Sequence, residues 1–80
     1  MHIDYLIKMA NDIGDFFKAD PDKDAAAANI HMHIKRFWDP RMRKEIIAHY
    51  TQTQGIGLEG QVLAAVKKLA EEAGAQKKTA

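Results

Sequence analysis

Cysteine and serine are both absent from these 80 residues, and threonine occurs only at Thr51, Thr53 and Thr79. Without cysteine there is no disulfide, no thiolate metal site and no thiol nucleophile. Without serine, the commonest hydroxyl nucleophile is gone as well. Proline occurs twice and glycine five times, so chain-breaking signals are few and easily placed. No apolar run approaches the ~18 residues of a membrane span. The opening Met1-His2-Ile3-Asp4 lacks the basic-then-apolar profile of a signal peptide, so a cytoplasmic chain is expected. Net charge is only +1, so no overall field draws nucleic acid or membrane to the protein.

What is present is a modest supply of core residues. Apolar types make up 46% of the chain, and alanine is prominent among them. A domain this small buries only about 60% of its unfolded surface, so its stability is marginal and a bound partner adds to it. Both prolines follow aspartate, at Asp20-Pro21 and Asp39-Pro40. Proline disfavours a helical residue before it, yet its fixed φ suits the first turn of a new helix. The aspartate accepts from the unpaired N–H groups there. Helices are therefore expected to start near Pro21 and Pro40, with a third break at Gly55-Ile56-Gly57.

Four segments result. The first, about 3 to 18, places Ile3, Leu6, Ile7, Ala10, Ile13, Gly14 and Phe17 on one stripe of helical period, flanked by Tyr5, Met9 and Phe16. The second, about 22 to 37, buries Ile30, Ile34 and Phe37. The third, about 40 to 52, offers Met42, Ile46, Ile47 and Tyr50. The fourth, about 59 to 73, offers Val62, Leu63, Val66 and Leu69. No stretch alternates with a period of two. The expected fold is all-α, a small irregular bundle of about four short helices. It forms a single helical domain over residues 1–73, with a frayed tail over 74–80.

Several constellations suggest chemistry and fail on geometry. Gly55-Ile56-Gly57-Leu58-Glu59-Gly60 matches a dinucleotide-binding pattern, but that loop must follow a parallel strand inside a βαβ unit. Here a helix precedes it, and a turn between helices is the better reading. His31 and His33 stand about 200° apart on a helix and cannot grip one ion together. His33 and His49 are expected at the edge of the core, with an apolar body and a wetted tip. The acid pairs Asp12 with Asp15, and Glu71 with Glu72, read as solvated helix faces. No catalytic, metal-binding or cofactor-binding residue is assigned.

The informative stretch is Lys35-Arg36-Phe37-Trp38-Asp39-Pro40-Arg41-Met42-Arg43-Lys44, where the only tryptophan lies among cations. Tryptophan and arginine are the types most enriched at interface hot spots. Phe37 continues the Ile30/Ile34 stripe and is expected in the core. For Trp38, Arg41 and Arg43, a place in or around the core and a place at an interface both stay open. Arg36 and Asp39 belong to the same candidate surface. Tyr5 and Met9 add an apolar patch, because the first helix is apolar over more than one face; Phe16 is expected to pack inside. Nucleic-acid binding is a distant reading, since the junction lacks the glycine-bearing turn of a helix-turn-helix and Asp39 repels phosphate.

Taken together, these residues resemble a known family. Leu6-Ile7-Lys8-Met9-Ala10-Asn11-Asp12-Ile13-Gly14-Asp15-Phe16-Phe17 resembles the opening of the delta subunit of soluble NAD-dependent formate dehydrogenases. Ile34-Lys35-Arg36-Phe37-Trp38-Asp39-Pro40-Arg41-Met42-Arg43 is similar to that family's signature, and Gly57-Leu58 with Val62-Leu63-Ala64-Ala65-Val66 to its closing helix. The likeness runs from about residue 5 to 70. It departs at Glu59-Gly60, where an Asp-Pro-like start is expected, which leaves the onset of the fourth helix open.

The resemblance implies a non-catalytic accessory subunit with no cofactor of its own. The parent complex would carry a molybdenum or tungsten bis-guanine-dinucleotide centre, iron–sulfur clusters, FMN and NAD. The implied partner is the large catalytic alpha subunit, with Tyr5, Met9, Arg36, Trp38, Asp39, Arg41 and Arg43 as candidate partner-binding residues. A transient assembly chaperone for cofactor insertion is the alternative, and a small nucleic-acid-binding regulator a more distant one. A surplus apolar stripe also lets the isolated chain form a homodimer.

Overall fold

In the computed structural model the backbone of residues 2–79 and the side chains of residues 2–74 are described. Four helices follow one another: α1 (Ile3–Phe17), α2 (Lys23–Phe37), α3 (Pro40–Thr53) and α4 (Gly60–Thr79). Among the described residues there is no strand. The all-α bundle expected from the sequence is the fold observed.

The two aspartate-proline steps act differently. At the second, Pro40 opens α3 and Asp39 is its cap, its Oδ1 accepting from Met42 N at 3.0 Å. At the first, the start slips by two residues. Asp22 is the cap of α2, accepting from Asp24 N and Ala25 N, while Asp20 accepts from Asp22 N at 2.9 Å. Proline at position 21 thus sits in the turn before the cap, and Asp20 shapes that turn instead of capping the helix. The fourth helix runs on to Thr79; the expectation of a frayed tail over 74–80 falls on side chains outside the described residues.

Helices α1 and α4 each meet all three others, whereas α2 and α3 scarcely touch. The order around the bundle is therefore α1, α2, α4, α3, with α1 and α4 crossing on the diagonal. That crossing needs a small residue. Gly14 on α1 faces Val62 on α4, and a Cβ on Gly14 would run into Val62 Cγ2. The core around it is Leu6, Ala10, Ile30, Ile34, Trp38, Ile46, Leu58, Val62, Ala65, Val66 and Leu69. Each helix gives one stripe to it, as amphipathic helices of a small bundle must.

Phe37 and Phe16 reverse the expectation, and Trp38, left open between core and interface, is settled for the core. Trp38 is 5% exposed and belongs to the core, whereas Phe37 is 71% exposed. Phe37 ends α2, and Trp38 has left the helix with φ −82° and ψ 140°. That extended step turns the indole back under the end of the bundle. Phe16, expected inside, is 79% exposed and meets Phe17 edge to face at 5.0 Å.

Candidate functional site

The basic stretch forms the corner between α2 and α3, and its parts are held by one another. Trp38 N–H donates to Ile34 O at 3.0 Å, closing the last turn of α2. Arg43, from the second turn of α3, reaches back with Nη1 to Lys35 O at 3.1 Å and Trp38 O at 2.5 Å. The final carbonyls of a helix lack partners within it, and a cation there also meets the negative end of the helix dipole. Asp39 caps α3 from the other side of the same corner.

Of the candidate partner-binding residues, Trp38, Asp39 and Arg43 are therefore committed to building the corner. Trp38 does not offer a surface anchor, because its ring lies in the core. Arg43 is half-buried with its guanidinium spent on backbone carbonyls, and Asp39 uses a carboxylate oxygen as the α3 cap. Arg36 and Arg41 stay exposed on the same corner, as does the ring of Phe37. His33 stacks obliquely on that ring at 4.8 Å and, like His49, is half-buried as expected. Tyr5 is 61% exposed, and Met9 is half-buried against the core.

The glycine loop is a connection between α3 and α4. Gln54 at φ 61° and Gly55 at φ 86° turn the chain out of α3, and a side chain at Gly55 would collide with Leu63. Thr53 Oγ1 accepts from Gly55 N and Ile56 N at 3.2 Å, and His49 Nε2 donates to Ile56 O at 2.6 Å. Across the bundle Asn11 clamps the same loop with both arms of its amide. Its Nδ2 donates to Gly57 O at 2.9 Å, and its Oδ1 accepts from Glu59 N at 3.0 Å. This tether fixes the entry to α4 at the point where the sequence carries no Asp-Pro step. Asn11→Ala is expected to cost about 1–2 kcal/mol, the range for losing such hydrogen bonds where water can replace them. It should also free Glu59 N–H for exchange, which amide hydrogen exchange by NMR measures directly.

A second polar link escaped the sequence analysis. His31 is only 6% exposed, and its Nε2 donates to Glu72 Oε1 at 2.7 Å, joining α2 to α4. Lys35 Nζ lies 3.9 Å from the other oxygen. The hydrogen bond from His31 holds the Glu72 carboxyl below the ordinary glutamate range. Partial burial opposes this, and His31, Lys35 and Lys68 add attraction. Glu72 is thus half-buried and paired, not part of a solvated acid face; Glu71 is exposed as expected. On α1, Lys8 donates to Asp12 at 2.9 Å, and that bond raises the lysine above its usual value.

The chemistry available is that of a surface. Among the described residues no three His, Asp or Glu side chains gather in a way that would hold a metal ion. A cleft of about 380 Å³ opens where the α1–α2 turn meets the start of α4. Its floor is Gly14, Ala26, Ile30 and Val62, and its rim sets Asp15, Asp20 and Glu59 against Lys18 and Lys23. No described helix is long and apolar enough to cross a membrane.

Comparison with known proteins gives a family match. The family model described as NADH-dependent formate dehydrogenase delta subunit (FdsD) covers residues 5–66. The curated proteins and the solved structures gave no match.

Proposed function

The chain belongs to the NADH-dependent formate dehydrogenase delta subunit family, and from that premise we propose that it is a non-catalytic accessory subunit that docks on the large catalytic subunit of its complex. The observation that carries this reading is the α2–α3 corner. Arg36, Phe37 and Arg41 stand exposed on it, while Trp38, Asp39 and Arg43 are used up in holding it rigid. Arginine beside an exposed aromatic ring, on a preorganised backbone, is the composition of an interface hot spot.

The redox groups of such a complex, a molybdenum or tungsten bis-guanine-dinucleotide centre, iron–sulfur clusters and FMN with the NAD site, belong in this reading to the other subunits. This chain has no cysteine to ligate an iron–sulfur cluster. Its contribution is linkage: a subunit that binds only the folded or cofactor-loaded enzyme stabilises that state by mass action, in the cytoplasm.

Co-purification tests it. The tagged chain should bring down the large subunit in stoichiometric amount from cells producing the whole complex. An Arg36→Ala, Phe37→Ala, Arg41→Ala variant should lose most of that yield while keeping wild-type helicity. Undiminished yield would place the docking face elsewhere. Recovery only with apo-enzyme, and never with the mature complex, would make the chain a transient assembly factor.

A further inference from the structure

The exposed aromatic residues outside the loops fall on one face of the α1–α2 hairpin. At 100° per residue, Tyr5, Met9 and Phe16 lie within about 40° of one another on α1. Ile7, Asn11 and Gly14 occupy the opposite flank, and these are the residues that meet the α3–α4 loop and α4. The Tyr5–Phe16 stripe therefore faces away from that loop. On α2, His31 and Lys35 point to Glu72 of α4, and His33 and Phe37 lie on the opposite flank of the helix. With α2 between α4 and α1 in the order around the bundle, that flank is the one on the α1 side, and both stripes border the α1–α2 seam. Because α1 and α2 run antiparallel, Tyr5 at the start of one lies level with Phe37 at the end of the other, and Phe16 sits at the turn.

Charge is polarised along the same hairpin. The turn end, residues 12–24, carries five aspartates against two lysines. The opposite corner, residues 35–44, carries five cations against one aspartate. A molecule of net charge +1 is thus strongly dipolar along this face.

We infer that the α1–α2 face binds a second copy of this chain, in an antiparallel two-fold pair. A two-fold axis near Met9 and His33 lays Phe16 of each copy over the Tyr5–Phe37 end of the other. The same operation sets the aspartate-rich turn of each copy against Arg36 and Arg41 of its mate. Such an isologous contact needs a self-complementary surface, and a face acidic at one end and basic at the other is one. Two 15-residue helices side by side span about 20 Å by 20 Å. That is on the order of 400 Å² of flat area per copy, about 800 Å² in total and below the size of stable specific interfaces, so the pair is weak and concentration-dependent. The pairing concerns the free chain; it covers Arg36, Phe37 and Arg41, so a chain docked through them as proposed above is not paired, and self-association of the isolated chain tests the pairing separately from that docking.

Complementary charge reversal tests it on the full chain by sedimentation equilibrium. The wild type should dimerise with rising concentration, less so at high salt. Arg36→Glu with Arg41→Glu cancels the positive charge of the basic corner and puts acids opposite acids at the contact; Asp12→Lys with Asp15→Lys turns the acidic end weakly positive and puts cations opposite cations. Each double variant alone should lose self-association by about tenfold or more, and an equimolar mixture of the two should pair again. Should lysine at 12 and 15 disturb the fold, seen as lost helicity, Asp12→Asn with Asp15→Asn replaces it and should weaken the wild-type pair. A wild type still monomeric at about 1 mM, variants that associate as the wild type does, or a mixture that stays monomeric would each overturn the assignment.

Discussion

Trp38→Ala is expected to destabilise the domain by about 3–5 kcal/mol, the range for removing a large buried aromatic side chain. An 80-residue domain has a total stability of roughly 4–12 kcal/mol at the usual 0.05–0.15 kcal/mol per residue, so this single change removes a large part of it. The ring closes the bottom of the bundle together with Ile34 and Ile46. Its backbone both ends α2 and accepts from Arg43, so the cavity opens where the two helices are joined. Phe37→Ala, one residue earlier, should cost less than about 1 kcal/mol because most of that ring is already in water. Urea unfolding compares the pair. With m-values of about 1–2 kcal/mol per molar for small domains, the midpoints should differ by about 2 M. Equal losses would overturn the difference in burial between the two rings, and a larger loss for Phe37→Ala would mean that they are placed the wrong way round.

The contrast between these neighbours shows where the sequence was legible. Helix number, order and approximate ends followed from the two Asp-Pro steps and the glycine loop, because capping and φ restriction act over two or three residues. Phe37 was expected inside because Ile30, Ile34 and Phe37 continue one helical stripe. That extrapolation holds only while the helix holds. At Trp38 the backbone leaves the helical region, and the next side chain no longer obeys the helical period. The last turn before an Asp-Pro step is where a periodic argument is weakest: Phe37 lies outside against expectation, and Trp38, for which core and interface both stood open, takes the core place. Phe16 failed for a related reason: it flanks the main stripe at the C-terminal end of α1, where only the turn remains to cover it.

The polar links were not legible at all. Asn11 binds residues 46 and 48 positions away, and His31 binds Glu72 at a separation of 41. Pairings at that distance depend on which helices become neighbours, and no local pattern encodes the bundle order α1, α2, α4, α3. A hint was nonetheless present. Asparagine in mid-helix competes with its own backbone unless its amide is used elsewhere, so its place in the helix already asked for a distant partner. Of the candidate partner-binding residues, Arg36, Arg41, Tyr5 and Asp39 are exposed, Met9 and Arg43 are half-buried and Trp38 is in the core, with Asp39 and Arg43 bonded within the α2–α3 corner.

Gly14→Leu should be the other severe lesion, and it acts through excess volume in place of a void. The close approach of α1 to α4 rests on the missing side chain, since even a Cβ would strike Val62 Cγ2 and come near Ile30 Cδ1. Val62 cannot step aside cheaply. It is β-branched, so its χ1 is stiff in a helix, and it is fully packed in the core. Alanine at 14 brings two opposed effects. Better helix propensity contributes up to about 1 kcal/mol, and overpacking costs about 1–3 kcal/mol, so a net loss is expected. Leucine keeps the propensity gain and multiplies the overlap; we expect a loss of at least about 3 kcal/mol. A double-mutant cycle separates collision from any intrinsic need for glycine. Val62→Ala alone leaves a void, but combined with Gly14→Ala it makes room for the new methyl, so the pair should cost less than the sum of its parts by about 1 kcal/mol or more. Additive losses would mean that α1 and α4 do not meet at Gly14, and with that the diagonal contact that orders the bundle would be lost.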